Sequence, residues 1–135
     1  MLTEFDCTFH HIGIACRDLD AEQAGWTALG YTQEGPEFED PVQRVRGRFL
    51  TGAGPRLELL APTAENSPVE GVIKRRTKLY HQAFVTPAFD RALEAIEALG
   101  ARRTAEPAPA VAFGGKRIVF VLLFNGNIIE LIEAA

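Results

Sequence analysis

The sequence is short of nearly everything that marks a secreted, membrane or nucleic-acid-binding protein. It has two cysteines, Cys7 and Cys16, too few and too close together for a disulfide framework, so a reduced compartment, the cytoplasm, is the simpler reading. Its longest apolar run, Ile118 to Phe124, is seven residues, well short of a membrane span. The first ten residues carry Glu4 and Asp6 and no cationic apolar leader, so no secretory signal is visible. The formal charge is -4, whereas a nucleic-acid partner usually leaves a basic footprint. Low-complexity segments are absent too. What remains is 135 residues, 47% hydrophobic and 24% charged, enough for one domain or for two small modules sharing a core.

The pattern that organises the chain is a repeat. Phe9-His10-His11-Ile12-Gly13-Ile14-Ala15 has a distant counterpart in Leu79-Tyr80-His81-Gln82-Ala83-Phe84-Val85, each a histidine inside an extended, largely apolar run. Arg56-Leu57-Glu58-Leu59-Leu60 is matched by Asn127-Ile128-Ile129-Glu130-Leu131-Ile132. His11 to Glu58 spans 47 positions and His81 to Glu130 spans 49, so each half contributes one histidine and one glutamate at corresponding places.

The local signals fit two copies of one unit. Phe9 to Cys16 reads as a strand, Asp18 as an N-cap, and Leu19 to Leu29 as a helix that Gly30 stops, although Gly25 weakens its pattern. Tyr31 to Gln33 opens a second strand, with turns expected around Gly35-Pro36 and Asp40-Pro41. Val42 to Leu50 is the third strand, and Thr51 to Pro55 turns the chain into Arg56 to Leu60. After a linker, Leu79 to Thr86 is again a strand. Phe89, Ala92, Leu93, Ile96 and Leu99 recur at helical spacing, and Gly100 ends that helix. Ala101 to Thr104, Lys116 to Leu123 and Asn127 to Glu133 complete the second unit, with Asn125-Gly126 as the hairpin turn. The expected fold class is α+β: two tandem β-α-β-β-β modules, residues 7–62 and 79–135, joined by a linker at 63–78. They would form a cupped, incomplete barrel around a metal site, one domain over 1–135.

Strand alternation turns Glu58 and Glu130 away from their leucine and isoleucine neighbours. If the modules pack with related geometry, His11, Glu58, His81 and Glu130 converge. Two imidazoles and two carboxylates suit a divalent ion such as Zn, Fe, Co, Ni or Mn, with water completing an open shell. The dense positive cluster is Lys74-Arg75-Arg76 with Lys78, either a solvated helix end or a clamp for phosphates; Lys116, after the double glycine, could also approach an anion. Arg44, Arg46 and Arg48 share one strand face, opposite to Val45, Gly47 and Phe49.

On these residues the chain resembles the vicinal oxygen chelate superfamily, and most of all its methylmalonyl-CoA epimerase-like members. The resemblance is carried by His10 to Asp20, by Arg56 to Pro62, by Ser67-Pro68-Val69, by Tyr80 to Phe84 and by Asn127 to Leu131. It implies one divalent metal per chain on His11, Glu58, His81 and Glu130. Glu130 would also be the catalytic base at the alpha carbon of a 2-substituted acyl thioester, and the protein would be a homodimer without nucleic-acid or membrane partners. The same ligand set occurs in glyoxalase I-like lyases or isomerases acting on other small carbonyl compounds, and some members of the superfamily only bind a ligand. Three positions depart from the epimerase pattern. Tyr80 replaces the first histidine of a customary pair, and Val121 to Phe124 stands where a His-Pro-Lys turn is common. Gly47 lies where some epimerases place a second catalytic glutamate.

Overall fold

A computed structural model describes residues 1–135. Its contacts divide the chain into two compact units, residues 11–80 and residues 1–10 with 81–135.

In the first unit, β1 (Thr8–Ala15) leads into α1 (Leu19–Thr27), followed by β2 (Thr32–Asp40), β3 (Val45–Thr51) and β4 (Leu57–Pro62). Asp18 caps α1 by accepting bonds from the Asp20 and Ala21 backbone N–H groups, which satisfies two of the orphan donors at the helix start. β2 and β3, and β3 and β4, pair antiparallel, and β4 returns to lie parallel to β1, giving the order β2-β3-β4-β1. One face of this sheet carries Leu50, Leu57, Leu59 and Ala61, packed with Leu19, Cys16 and Tyr31. A fully buried leucine such as Leu59 contributes roughly 2 kcal/mol through its burial. α2 (Pro68–Lys74) follows, with Ser67 as its N-cap and proline in its first turn.

The second unit repeats the order with β5 (Leu79–Thr86), α3 (Phe89–Glu97), the two-residue strands β6 (Arg102–Arg103) and β7 (Ala108–Pro109), β8 (Arg117–Leu122) and β9 (Ile128–Glu133). β9 runs parallel to β5 and antiparallel to β8. Phe89, Ala92, Leu93 and Ile96, the periodic face of α3, are buried with Val119, Val121 and Leu131. Leu2–Phe5 forms a 3-10 turn before β1. Its Phe5 carbonyl accepts a bond from the Thr86 hydroxyl, and its ring lies under the Arg91 guanidinium. No helix is long and apolar enough to cross a membrane.

The expected fold class is observed within each unit: α+β, with the β-α-β-β-β order of the first module repeated by the second, which adds the short strand β7. Local boundaries need correction. The turn expected at Gly35-Pro36 is instead a β-bulge inside a nine-residue β2, between Glu34 and Phe38. The bulge absorbs the glycine and proline while pairing with β3 continues on both sides. The third strand begins at Val45 rather than Val42. Asp40 accepts bonds from the Val42 and Gln43 N–H groups, and Arg44 sits at φ 58, so residues 41–44 are the turn. α1 ends at Thr27, and the strand expected from Ala101 to Thr104 contracts to Arg102–Arg103.

Candidate metal centre

Each module builds half of a donor set by the same local device. In the first, β1 presents His11 and β4 presents Glu58, with the imidazole Nε2 3.1 Å from the carboxylate Oε1. In the second, β5 presents His81 and β9 presents Glu130, at 3.3 Å. The parallel pairing explains the match. Glu58 lies opposite Gly13 and Glu130 opposite Ala83, in each case the residue two beyond the histidine. Successive same-face side chains on a strand would crowd a glutamate placed between them. Glycine or alanine at that register lets the carboxylate lean onto the imidazole of its neighbour strand.

The four side chains are all buried. One ligand atom from each lies within 4.8 Å of the other three. Donors bound to a common ion at about 2.0–2.2 Å stand about 2.8–3.6 Å apart along an octahedral or tetrahedral edge, and both observed nitrogen–oxygen separations fall in that interval. Charge agrees with distance. Two carboxylates with neutral imidazoles sum to -2, which is expensive to bury alone and is neutralised by one divalent cation. The donor set therefore fits one divalent ion held by His11, Glu58, His81 and Glu130.

Aromatic rings orient the imidazoles, and the sequence pattern did not reveal them. Phe49 meets His11 edge-on with ring centroids 5.4 Å apart, and Phe120 meets His81 in the same way at 5.0 Å. The register accounts for both, since Phe49 lies opposite Glu58 and Phe120 opposite Glu130. Only the observed register reveals them, because counting back from a turn at residues 51–55 would pair Phe49 with Leu57 rather than with Glu58.

The basic residues stand elsewhere. Lys74, Arg75, Arg76 and Lys78 are exposed at and beyond the end of α2, with Arg76 at φ 57, and the Lys78 ammonium bonds the Glu22 carboxylate. Lys116 is exposed in the turn before β8. Arg48 lies on the α1 side of its sheet, bonded to Asp20, Gln23 and Glu37, so its charge is committed there and not to the donor set.

Comparison with known proteins points the same way. Residues 10–120 match the family model described as the glyoxalase/bleomycin resistance protein/dioxygenase superfamily. The chain is 27% identical over 126 residues to the ethylmalonyl-CoA/methylmalonyl-CoA epimerase of Cereibacter sphaeroides, covering 90% of this chain and 94% of that protein. Among solved structures it is similar to the Streptomyces coelicolor methylmalonyl-CoA epimerase in complex with 2-nitronate-propionyl-CoA. That likeness has 31% identity and a TM-score of 0.78, over 94% of both chains. It is also similar to the methylmalonyl-CoA epimerase of Mycobacterium tuberculosis, at 26% identity and a TM-score of 0.79, over 94% of this chain and 87% of that one.

Proposed function

The chain belongs to the glyoxalase/bleomycin resistance protein/dioxygenase superfamily, and from that premise we propose that it is a divalent-metal-dependent epimerase of a 2-substituted acyl-CoA thioester. The observation that carries this reading is the buried His11–Glu58–His81–Glu130 cluster. The acyl-CoA substrate class follows from relatives that are epimerases of such thioesters and cover nearly the whole chain.

His11, Glu58, His81 and Glu130 would hold a divalent ion, which would supply Lewis-acid polarisation of the thioester carbonyl and so make the alpha proton removable. His11 and His81 hold their Nε2 atoms toward the carboxylates, each fixed by the edge of a phenylalanine ring. Glu130 takes the alpha proton on a carboxylate oxygen, and the C–H electron pair passes into the enolate of the thioester. The enolate then turns its opposite face to protonated Glu130 and takes the proton back there, or takes one from a water whose hydroxide the Glu130 proton neutralises; either route gives the epimer and restores the Glu130 carboxylate. Burial of Glu130 keeps bulk water from that oxygen. Lys74, Arg75, Arg76, Lys78 and Lys116 put exposed positive charge on the surface for the phosphates of the carrier, a contact that salt would screen. Lys78 contributes least because Glu22 already holds it. The protein acts in the cytoplasm as a homodimer without nucleic-acid or membrane partners.

The test is alpha-proton exchange in heavy water with 2-methyl and 2-hydroxy acyl-CoA thioesters, comparing wild type, E130Q and E58Q at equal metal occupancy. Exchange should be lost in E130Q by at least a hundredfold, the scale of general-base catalysis, and persist in E58Q. Normal exchange by E130Q overturns the assignment of the base. No exchange by wild type on either substrate overturns the epimerase reading.

A further inference from the structure

Two strands of the first module meet at a point where one side chain has taken the place of another. Gly47 on β3 lies opposite Phe38 on β2 and Leu60 on β4. A Cβ at position 47 would lie 2.4 Å from the Phe38 Cζ and 2.8 Å from the Leu60 Cδ2. The phenyl ring of Phe38 therefore fills the volume into which any side chain at 47 would project. It continues directly into the ring of Phe49, with centroids 5.8 Å apart and planes tilted by 33°, and Phe49 meets His11 edge-on. The result is a two-ring apolar wall leading outward from His11 and Glu58.

The second module closes the corresponding position differently. There Ile118 lies opposite Ile132 and Ala108, so the large side chain is on the middle strand and the small one on its neighbour. Phe49 and its counterpart Phe120 are both half-buried, but Ile118 is buried whereas Phe38 is only half-buried. The first module thus differs by a second open ring beyond the one that meets its histidine, borne by an edge strand next to a bulge.

Resting on the acyl-thioester reading above, we propose that Phe38 is the specificity-determining residue for the alpha substituent: laid over Gly47, its ring limits that substituent to a short alkyl group. A thioester carbonyl held beside His11 and Glu58 carries its alpha carbon one bond away. A substituent on that carbon then meets Phe49 first and Phe38 next. Carbon is all that Gly47 and Phe38 present there, so the wall selects by size and apolarity. An extra methylene that a hydrophobic wall rejects lowers affinity about tenfold or more.

The experiment is calorimetric titration of the full chain, loaded with cobalt(II), with racemic 2-methyl, 2-ethyl, 2-butyl and 2-benzyl acyl-CoA thioesters. A racemate already stands at the equilibrium of the proposed reaction, so turnover adds no net heat. Wild type should bind the methyl and ethyl compounds and lose at least tenfold in affinity at butyl and benzyl. F38A should recover at least tenfold for butyl and benzyl relative to methyl, and F38L, which keeps more of the packing, should shift the same ratio by a smaller factor. If wild type shows the size limit but both variants keep the wild-type ratios within threefold, the wall is refuted and the acyl-thioester reading stands. If wild type binds all four compounds equally, the wall is refuted in the same way. If wild type binds none of them, the acyl-thioester reading fails and the wall fails with it.

Discussion

Replacing Thr86 with valine removes a single oxygen from a buried, nearly isosteric side chain, and the structure states what that oxygen does. Thr86 is fully buried at the end of β5. Its hydroxyl donates to the Phe5 carbonyl at 2.6 Å and accepts from the Ala88 N–H at 3.0 Å. The first bond fastens the 3-10 turn Leu2–Phe5, and the second serves the start of α3, whose N-cap Ala88 has no side chain able to cap it. Valine keeps the shape and deserts both backbone groups. A stranded buried group costs about 1–3 kcal/mol, discounted here because Phe5 and Ala88 are both only half-buried, so T86V should lose about 2 kcal/mol. T86S keeps the hydroxyl and loses one methyl, about 1 kcal/mol. With an unfolding entropy of about 2 cal/mol/K per residue over 135 residues, each kcal/mol moves Tm by about 3–4 °C. Urea and thermal denaturation followed by circular dichroism should therefore rank wild type, T86S and T86V in descending order. Hydrogen exchange should show the Cys7 amide, bonded to Leu2, losing protection in T86V alone. T86V at or above T86S in stability would refute the reasoning.

Two further outcomes follow from other parts of the molecule. H11A and H81A should each lower cobalt(II) affinity by at least a hundredfold in equilibrium dialysis, since each deletes one of four buried donors; wild-type metal content in both would show that the cluster is not a metal site. Burial pushes the Cys16 thiol from 9.0 up to about 11, with the Glu22 carboxylate adding to the effect. The thiol should therefore resist alkylation in the native state at pH 8. The folded pKa lies above the unfolded one, so its contribution is whole below pH 9 and fades as pH rises toward 11. That amounts to about 2–3 kcal/mol between those limits at about 1.4 kcal/mol per unit. C16A, which has nothing to ionise there, should show a flatter loss of stability over the same interval.

The parts of this chain legible in its sequence are those where one physical signal acts alone. Phe89, Ala92, Leu93 and Ile96 announce α3 because a single face is buried, and all four are in the core. His11, Glu58, His81 and Glu130 could be paired because duplication wrote the same device twice, and the four meet. The start of β2 was legible at Tyr31 to Gln33, but its continuation to Asp40 was not, because Gly35 and Pro36 are turn residues by local preference; pairing with β3 on both sides of the bulge overrides them. The role of Phe38 was hidden for the same reason. Its partner at position 47 can be named only once the register beyond the bulge is known, and the bulge shifts it. Phe49 and Phe120 carried no distinguishing mark, because a phenylalanine in a strand is ordinary until its cross-strand neighbour is a ligand. α1 lay between these cases: its buried pattern is thin, with Leu19 its one buried residue, and the Asp18 cap locates its start.

The bulge in β2 has a bearing on how the protein behaves when crowded. β2 lies at one end of its module's strand order, so its outer backbone groups form an open template for strand addition by another chain. Seven of its nine residues are exposed, and among them are Glu34, Glu37 and Glu39, with Pro36 breaking the row of N–H donors. A second copy approaching this edge in register would bring glutamate against glutamate, and the irregular spacing at Gly35-Pro36 would interrupt the ladder after a few residues. The same irregularity that carries Phe38 over Gly47 thus also denies neighbouring chains a straight, uncharged edge on which to aggregate.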